Sequence, residues 1–159
     1  MIEIEYGNEL WLSDTEAANE EAVRRACLLR DAEDAEDRRE IFLFDLGALT
    51  ILPDELAGIH GLERLIVGFA EEQGVAFYRP KNLTNVGVLS KLLYLQEVNL
   101  SFCGLESLPS FSLLTSLQLL DLTSAHVEDV SGLSELIALK TLDLGGSYVN
   151  DASSFSQLV

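Results

Sequence analysis

Apolar residues return with one fixed phase through the second half of the chain. Positions 95, 98, 100, 103, 105, 108, 111 and 114 hold Leu, Val, Leu, Cys, Leu, Leu, Phe and Leu. Moving forward by 22 residues, and by 22 again, lands on two further sets of the same kind. Of these 24 positions 23 are apolar, Ser147 being the exception, whereas a chain with 48% hydrophobic residues would fill about half by chance. Each set opens with alternate spacing, as in Val98-x-Leu100, which puts two side chains on one face of a short strand. It continues at three-residue spacing, which suits a return through a turn of helix or 3₁₀ helix. Leu62, Leu65 and Val67 stand 33 residues before Leu95, Val98 and Leu100, so about 11 extra residues interrupt the period at 68–82. Ile41, Phe44 and Leu46 precede them with a step of 21. The reading is five units starting near 41, 62, 95, 117 and 139.

Residues 1–40 break this pattern and predict a cap over the front of the stack. Ile2 and Ile4 alternate with acids as an edge strand would, and Leu10-Trp11-Leu12 can pair with them. Ser13-x-x-Glu16 reads as a capping box. A helix is predicted from about Asp14 to Asp37, with Ala18, Ala22, Ala26 and Leu29 as its apolar stripe, Val23 and Cys27 flanking it, and charges opposite. At the other end, Leu142, Leu144 and Leu158 belong to a last unit with no cover, so either further chain or a second copy is expected there.

Leu95-x-x-Val98-x-Leu100-x-x-Cys103-x-Leu105 and its two copies resemble the leucine-rich repeat family. Val127–Leu133 and Val149–Phe155 look like its internalin-like 22-residue subclass, and Leu52-Pro53 and Leu108-Pro109 like its "L-P" subclass. The resemblance spans residues 41–159. It implies an α/β solenoid with short parallel strands on a concave face, whose outward residues are free for contact. In that family an Asn at the ninth motif position bonds neighbouring loops. Here Cys103, Ala125 and Ser147 stand there, which predicts a weakened ladder.

Charge narrows the partners. The 159 residues carry 10 Lys and Arg against 27 Asp and Glu, a formal net charge of −17. That argues against nucleic acid or an anionic membrane surface and for a protein partner with a basic surface. The N-terminus lacks a signal-peptide pattern, and no apolar run reaches about 18 residues. The expectation is a cytoplasmic domain.

Candidate chemistry is sparse. Cys27, Cys103, His60 and His126 are too scattered for a metal site. Asp121, His126 and Ser124 lack the Gly-x-Ser-x-Gly setting of a nucleophile. Gly145-Gly146 precedes no phosphate-binding Lys, and Asn82-Leu83-Thr84 and Asn99-Leu100-Ser101 read as incidental acceptor sequences. No enzyme activity, metal or cofactor is expected.

Binding residues follow from the frame. The outward strand positions are Leu43, Asp45 and Gly47; Arg64, Ile66 and Gly68; Glu97, Asn99 and Ser101; Leu119, Asp121 and Thr123; and Thr141, Asp143 and Gly145. One column reads Asp45, Ile66, Asn99, Asp121, Asp143. Its acids are either solvated strand residues or the rim of a patch in which Leu43, Ile66 and Leu119 are apolar and Phe69 and Phe102 flank the strand exits. In the insertion, Phe77, Tyr78 and Arg79 are either interface anchors or a loop folded over one edge. The function expected is a protein-interaction module. The alternatives are a sensor segment of a longer signalling protein and a small acidic antitoxin-like inhibitor of a basic enzyme.

Overall fold

The computed structural model describes residues 14–34, 38–43, 46–68, 82–105 and 107–150. The edge strands expected before residue 14, Asp45, Phe69, the Phe77-Tyr78-Arg79 group and the residues after 150 lie outside them.

Five three-residue strands form one parallel sheet in chain order: β1 (Glu40–Phe42), β2 (Arg64–Ile66), β3 (Glu97–Asn99), β4 (Leu119–Asp121) and β5 (Thr141–Asp143). Ile41, Leu65, Val98, Leu120 and Leu142 stand side by side in register. No single rung could hide its leucines, so stacking is what removes them from water. Leu65, Val98, Leu100, Leu117, Leu120 and Leu122 are fully buried in one continuous core. At about 1.5–3 kcal/mol for each large side chain taken out of water, this shared core dominates folding.

The register corrects the first unit. Ile41 pairs with Leu65 and Phe42 with Ile66, so the step is 24 residues and not 21. Leu43, placed on the outer face by the shorter step, points into the core and is fully buried. Phe42 takes the place in the column that the shorter step gave to Asp45. Apolar residues at 41, 43, 44, 46, 49 and 52 fit two frames three residues apart. The shorter step chose the frame with an apolar residue at every strand position. The true frame puts Arg38 at the first position, which only the strand pairing reveals.

Returns run through 3₁₀ turns at Asp54–Gly58, Gly87–Lys91 and Ser131–Glu135. Asn85 and Asp129 occupy equivalent positions, and their side chains accept the Gly87 N–H at 3.0 Å and the Ser131 N–H at 2.9 Å. The unit between them has Pro109 where that N–H is needed. Proline has none to give, and the return through 107–118 contains no 3₁₀ turn.

The helix α1 (Thr15–Arg30) packs on the Asp54–Gly58 turn and on β1. Ala18, Ala22, Ala26 and Leu29 are buried as the stripe predicted. The helix stops seven residues early. Asp31, Glu33 and Asp34 follow its last turn with carboxylates, which oppose the negative end of the helix dipole. Its cap is Asp14, whose side chain accepts the Ala17 N–H at 3.0 Å; Ser13 of the expected capping box lies outside the described residues. Asn19 locks the helix to the first rung: its amide donates to Thr50 Oγ1 and accepts the Thr50 N–H, each at 3.1 Å.

Two charged residues share the buried face, against expectation. Arg25 is fully buried, donating to Glu21 at 2.8 Å and to the Phe42 carbonyl at 3.1 Å. Burial alone would raise the Glu21 carboxyl. Hydrogen bonds from Arg24 and Arg25, together with their charges, outweigh it and hold Glu21 below the usual carboxylate range.

Candidate functional site

The open face of the sheet carries three columns of side chains. The first runs Glu40, Arg64, Glu97, Leu119, Thr141 and the second Phe42, Ile66, Asn99, Asp121, Asp143. A third follows at the strand exits with Gly68, Ser101, Thr123 and Gly145.

In the first column Arg64 lies between two acids, 2.9 Å from Glu40 and 2.8 Å from Glu97. The Glu97 hydrogen bond foremost, with help from Glu40, raises the guanidinium pKa against a smaller loss from burial. A base expected to meet a partner is thus already shared within the sheet. Glu40 escaped the sequence reading because its phase emerges only with the 24-residue step.

In the second column the polar side chains reach forward to the strand exits. Asn99 Oδ1 accepts from the Ser101 N–H at 3.0 Å and its hydroxyl at 2.8 Å. Asp121 Oδ1 accepts the Thr123 N–H at 2.9 Å, and Asp143 Oδ1 the Gly145 N–H at 2.8 Å. Each carboxylate therefore uses one oxygen to hold a turn and keeps the other for contact. Asp121 and Asp143 are in register on adjacent strands, about 4.8 Å apart at the backbone. Like charges so placed repel, and no described residue makes an ion pair with either.

The apolar part of the face is smaller than expected. Leu43 belongs to the core, and Ile66 stands on the open face but is only 4% exposed. Leu119 and the newly placed Phe42 are half-buried.

At the strand exits the backbone turns left-handed, with Phe102 at φ 59° and Ser124 at 51°. Gly146 fills the same rung position at 71° without a side chain to strain. His126, two residues after Ser124, has φ 63° and its ring lies 5.1 Å from that of Tyr148. Both rings are exposed.

The ninth-position ladder is thin, as the sequence implied. Ser147 Oγ reaches back a full rung to the Leu122 carbonyl at 2.7 Å. Cys103 Sγ donates within its own rung to the Ser101 carbonyl at 3.5 Å, and Ala125 contributes nothing polar. Burial, and secondarily the charge of Asp121, pushes the Cys103 thiol far up, which removes it from thiolate chemistry. Among the described residues no group of three His, Cys, Asp or Glu could hold a metal ion, and no helix is long and apolar enough to cross a membrane.

Stacked parallel rungs of this kind are found in solved structures. The chain is similar to internalin C2 from Listeria monocytogenes, with 19% identity, a TM-score of 0.52, and coverage of 86% of this chain and 69% of the internalin. The fold is that of a leucine-rich repeat protein. A second internalin from the same organism aligns at 16% identity with a TM-score of 0.33, over 79% of this chain and 49% of that one. No family model matches the sequence, and no curated protein does.

Proposed function

We propose that this leucine-rich repeat fold is a protein-interaction module that takes a partner with a basic surface on its open sheet. The observation that carries the reading is the uneven charge balance along the face. Glu40 and Glu97 share Arg64, while Asp121 and Asp143 face each other with no cation among the described residues. A partner's Lys or Arg would relieve that repulsion, with Leu119 supplying apolar contact beside it and Phe42 a separate apolar contact three strands away on β1. The net charge of −17 steers such a partner inward. Asn99 and Phe102 belong to the proposed surface, Phe77, Tyr78 and Arg79 of the insertion at 68–82 are proposed as further contact residues because their types anchor interfaces, and Leu52-Pro53 and Leu108-Pro109 are read as units of the "L-P" kind.

Capture from native lysate, compared between the unaltered protein and Leu119→Arg, isolates the partner. With the partner in hand, Asp121→Lys and Asp143→Lys are expected to weaken binding about tenfold or more each, and affinity should fall as salt rises. Binding that ignores both charge reversals and salt would remove the open face from the proposal. A captured protein that is itself a basic toxic enzyme, silenced by this chain, would select the inhibitor form of the same reading.

A further inference from the structure

Opposite the strand exits, the residues just before each strand form a second edge with a different chemistry. A groove of about 570 Å³ runs there, lined by Gln96, Ser116, Gln118, Ile137, Ala138, Leu139 and Lys140. Gln96, Gln118 and Lys140 hold equivalent places in successive rungs. Their backbones are laddered, the Gln118 N–H donating to the Gln96 carbonyl and the Lys140 N–H to the Gln118 carbonyl, each at 2.8 Å. Lys140 Nζ donates to Gln118 Oε1 at 2.8 Å. That leaves the Gln118 amide protons and the remaining ammonium protons without a partner among the described residues, in a groove that Gln96 and Ser116 also line.

Two observations mark this edge as a binding site. Lys140 makes no ion pair with any described residue, in a chain with 27 acids where six of the other seven described bases, Arg24, Arg25, Arg30, Arg39, Arg64 and Lys91, have carboxylate partners; Arg38, whose Nε is buried without a hydrogen-bond partner, is the seventh. Ile137, next to it, is 82% exposed, the most exposed large hydrophobic side chain among the described residues. Donors and a cation without a carboxylate partner recognise a carboxylate, and an exposed Ile recognises an aliphatic side chain.

We infer that this groove binds an acidic, extended peptide segment. One Asp or Glu carboxylate sits on Lys140 Nζ and the Gln118 amide, its main chain meets Gln96 and Ser116, and a neighbouring aliphatic side chain covers Ile137. The sign is opposite to that of the open face, so one molecule offers an acidic surface to one segment and a donor-rich groove to another. The inference does not depend on the open-face proposal.

The probes are three N-acetylated, C-amidated pentapeptides, Gly-Asp-Leu-Asp-Gly and its Asn-Leu-Asn and Lys-Leu-Lys counterparts, titrated into isotope-labelled protein and followed by backbone amide shifts. The aspartate peptide is expected to move the Gln118, Ile137 and Lys140 amides, with the asparagine peptide at least tenfold weaker and the lysine peptide silent there. Lys140→Glu should abolish those shifts, Ile137→Ser should weaken them, and Asp121→Lys should leave them intact. Both groove residues are surface-exposed, so circular dichroism of these variants should match the parent. The inference is overturned if the lysine peptide binds this groove as well as the aspartate one. It is equally overturned if Lys140→Glu leaves the response unchanged, or if no peptide moves these amides at millimolar concentration.

Discussion

Gly68 shows how a single position can be dictated by what folds against it. A Cβ there would overlap Asn99 Oδ1 and both backbone polar atoms of Ser101, the groups that shape the next strand exit. Gly68→Ala should lower stability by about 1–3 kcal/mol, the usual cost of overpacking, measured as a shifted urea midpoint. Ser124 presents the reverse case. Its backbone holds φ 51°, which costs a non-glycine residue about 1–2 kcal/mol. Ser124→Gly should therefore raise stability by about 1 kcal/mol, and an unchanged or lowered midpoint would show that the turn is relaxed as it stands. Neither effect was legible beforehand. Gly68 looked like any strand-exit glycine, and Ser124 gave no sign that its rung position turns left-handed.

At the scale of elements, α1 and the first rung depend on a buried charge pair. Arg25 is fully enclosed and donates to Glu21 and to the Phe42 carbonyl. Removing one side of such a pair strands the other, so Arg25→Ala should cost about 3–5 kcal/mol. The pH dependence has a definite sign. Glu21 titrates lower in the folded chain than when exposed, so its contribution is present above the ordinary Glu range and fades as pH falls through the lowered folded value. Acid unfolding should begin earlier with Arg25→Ala than with the parent, and in Glu21→Gln this part of the acid transition should disappear. The sequence did announce the helix and its alanine stripe. It hid Glu21 and Arg25, because a charged residue on the edge of a stripe reads as solvated until tertiary packing closes over it. The missing 3₁₀ turn after Leu105 could have been read in advance, since Pro109 removes the one N–H that Asn85 and Asp129 engage in neighbouring units.

For the whole molecule, one core and one net charge set the behaviour. Leu120 lies inside the ladder between Val98 and Leu142 with 0% exposure, and Leu120→Ala should cost about 2–5 kcal/mol. Because each rung supports its neighbours, hydrogen exchange should speed up in β3 and β5 as well as in β4; a loss confined to β4 would contradict the shared core. The charge of −17 repels itself, so the thermal midpoint should rise between about 0.01 M and about 0.15 M salt as screening sets in. The last rung differs from the others. Leu139, Leu142, Leu144 and Val149 are only partly buried, whereas their equivalents Leu117, Leu120, Leu122 and Val127 are fully enclosed. β5 is thus predicted to be the least protected strand.

The amino-acid sequence by itself determined the repeat, the parallel stacking and most of the core, because burying leucines at a 22-residue period leaves few geometries other than a ladder of rungs. It also determined the acidity of the open face, which depends on residue identity alone. The tertiary structure decided which of two overlapping frames the first unit uses, and so moved Leu43 inward and Phe42 into the column. It decided which charges are already satisfied, pairing Arg64 with Glu40 and Glu97 across three strands and leaving Asp121 and Asp143 opposed. It brought Gln96, Gln118 and Lys140 into one edge. These outcomes depend on contacts between residues 20 to 40 positions apart, and a periodic pattern carries the phase of each unit without the identity of its neighbour across the sheet.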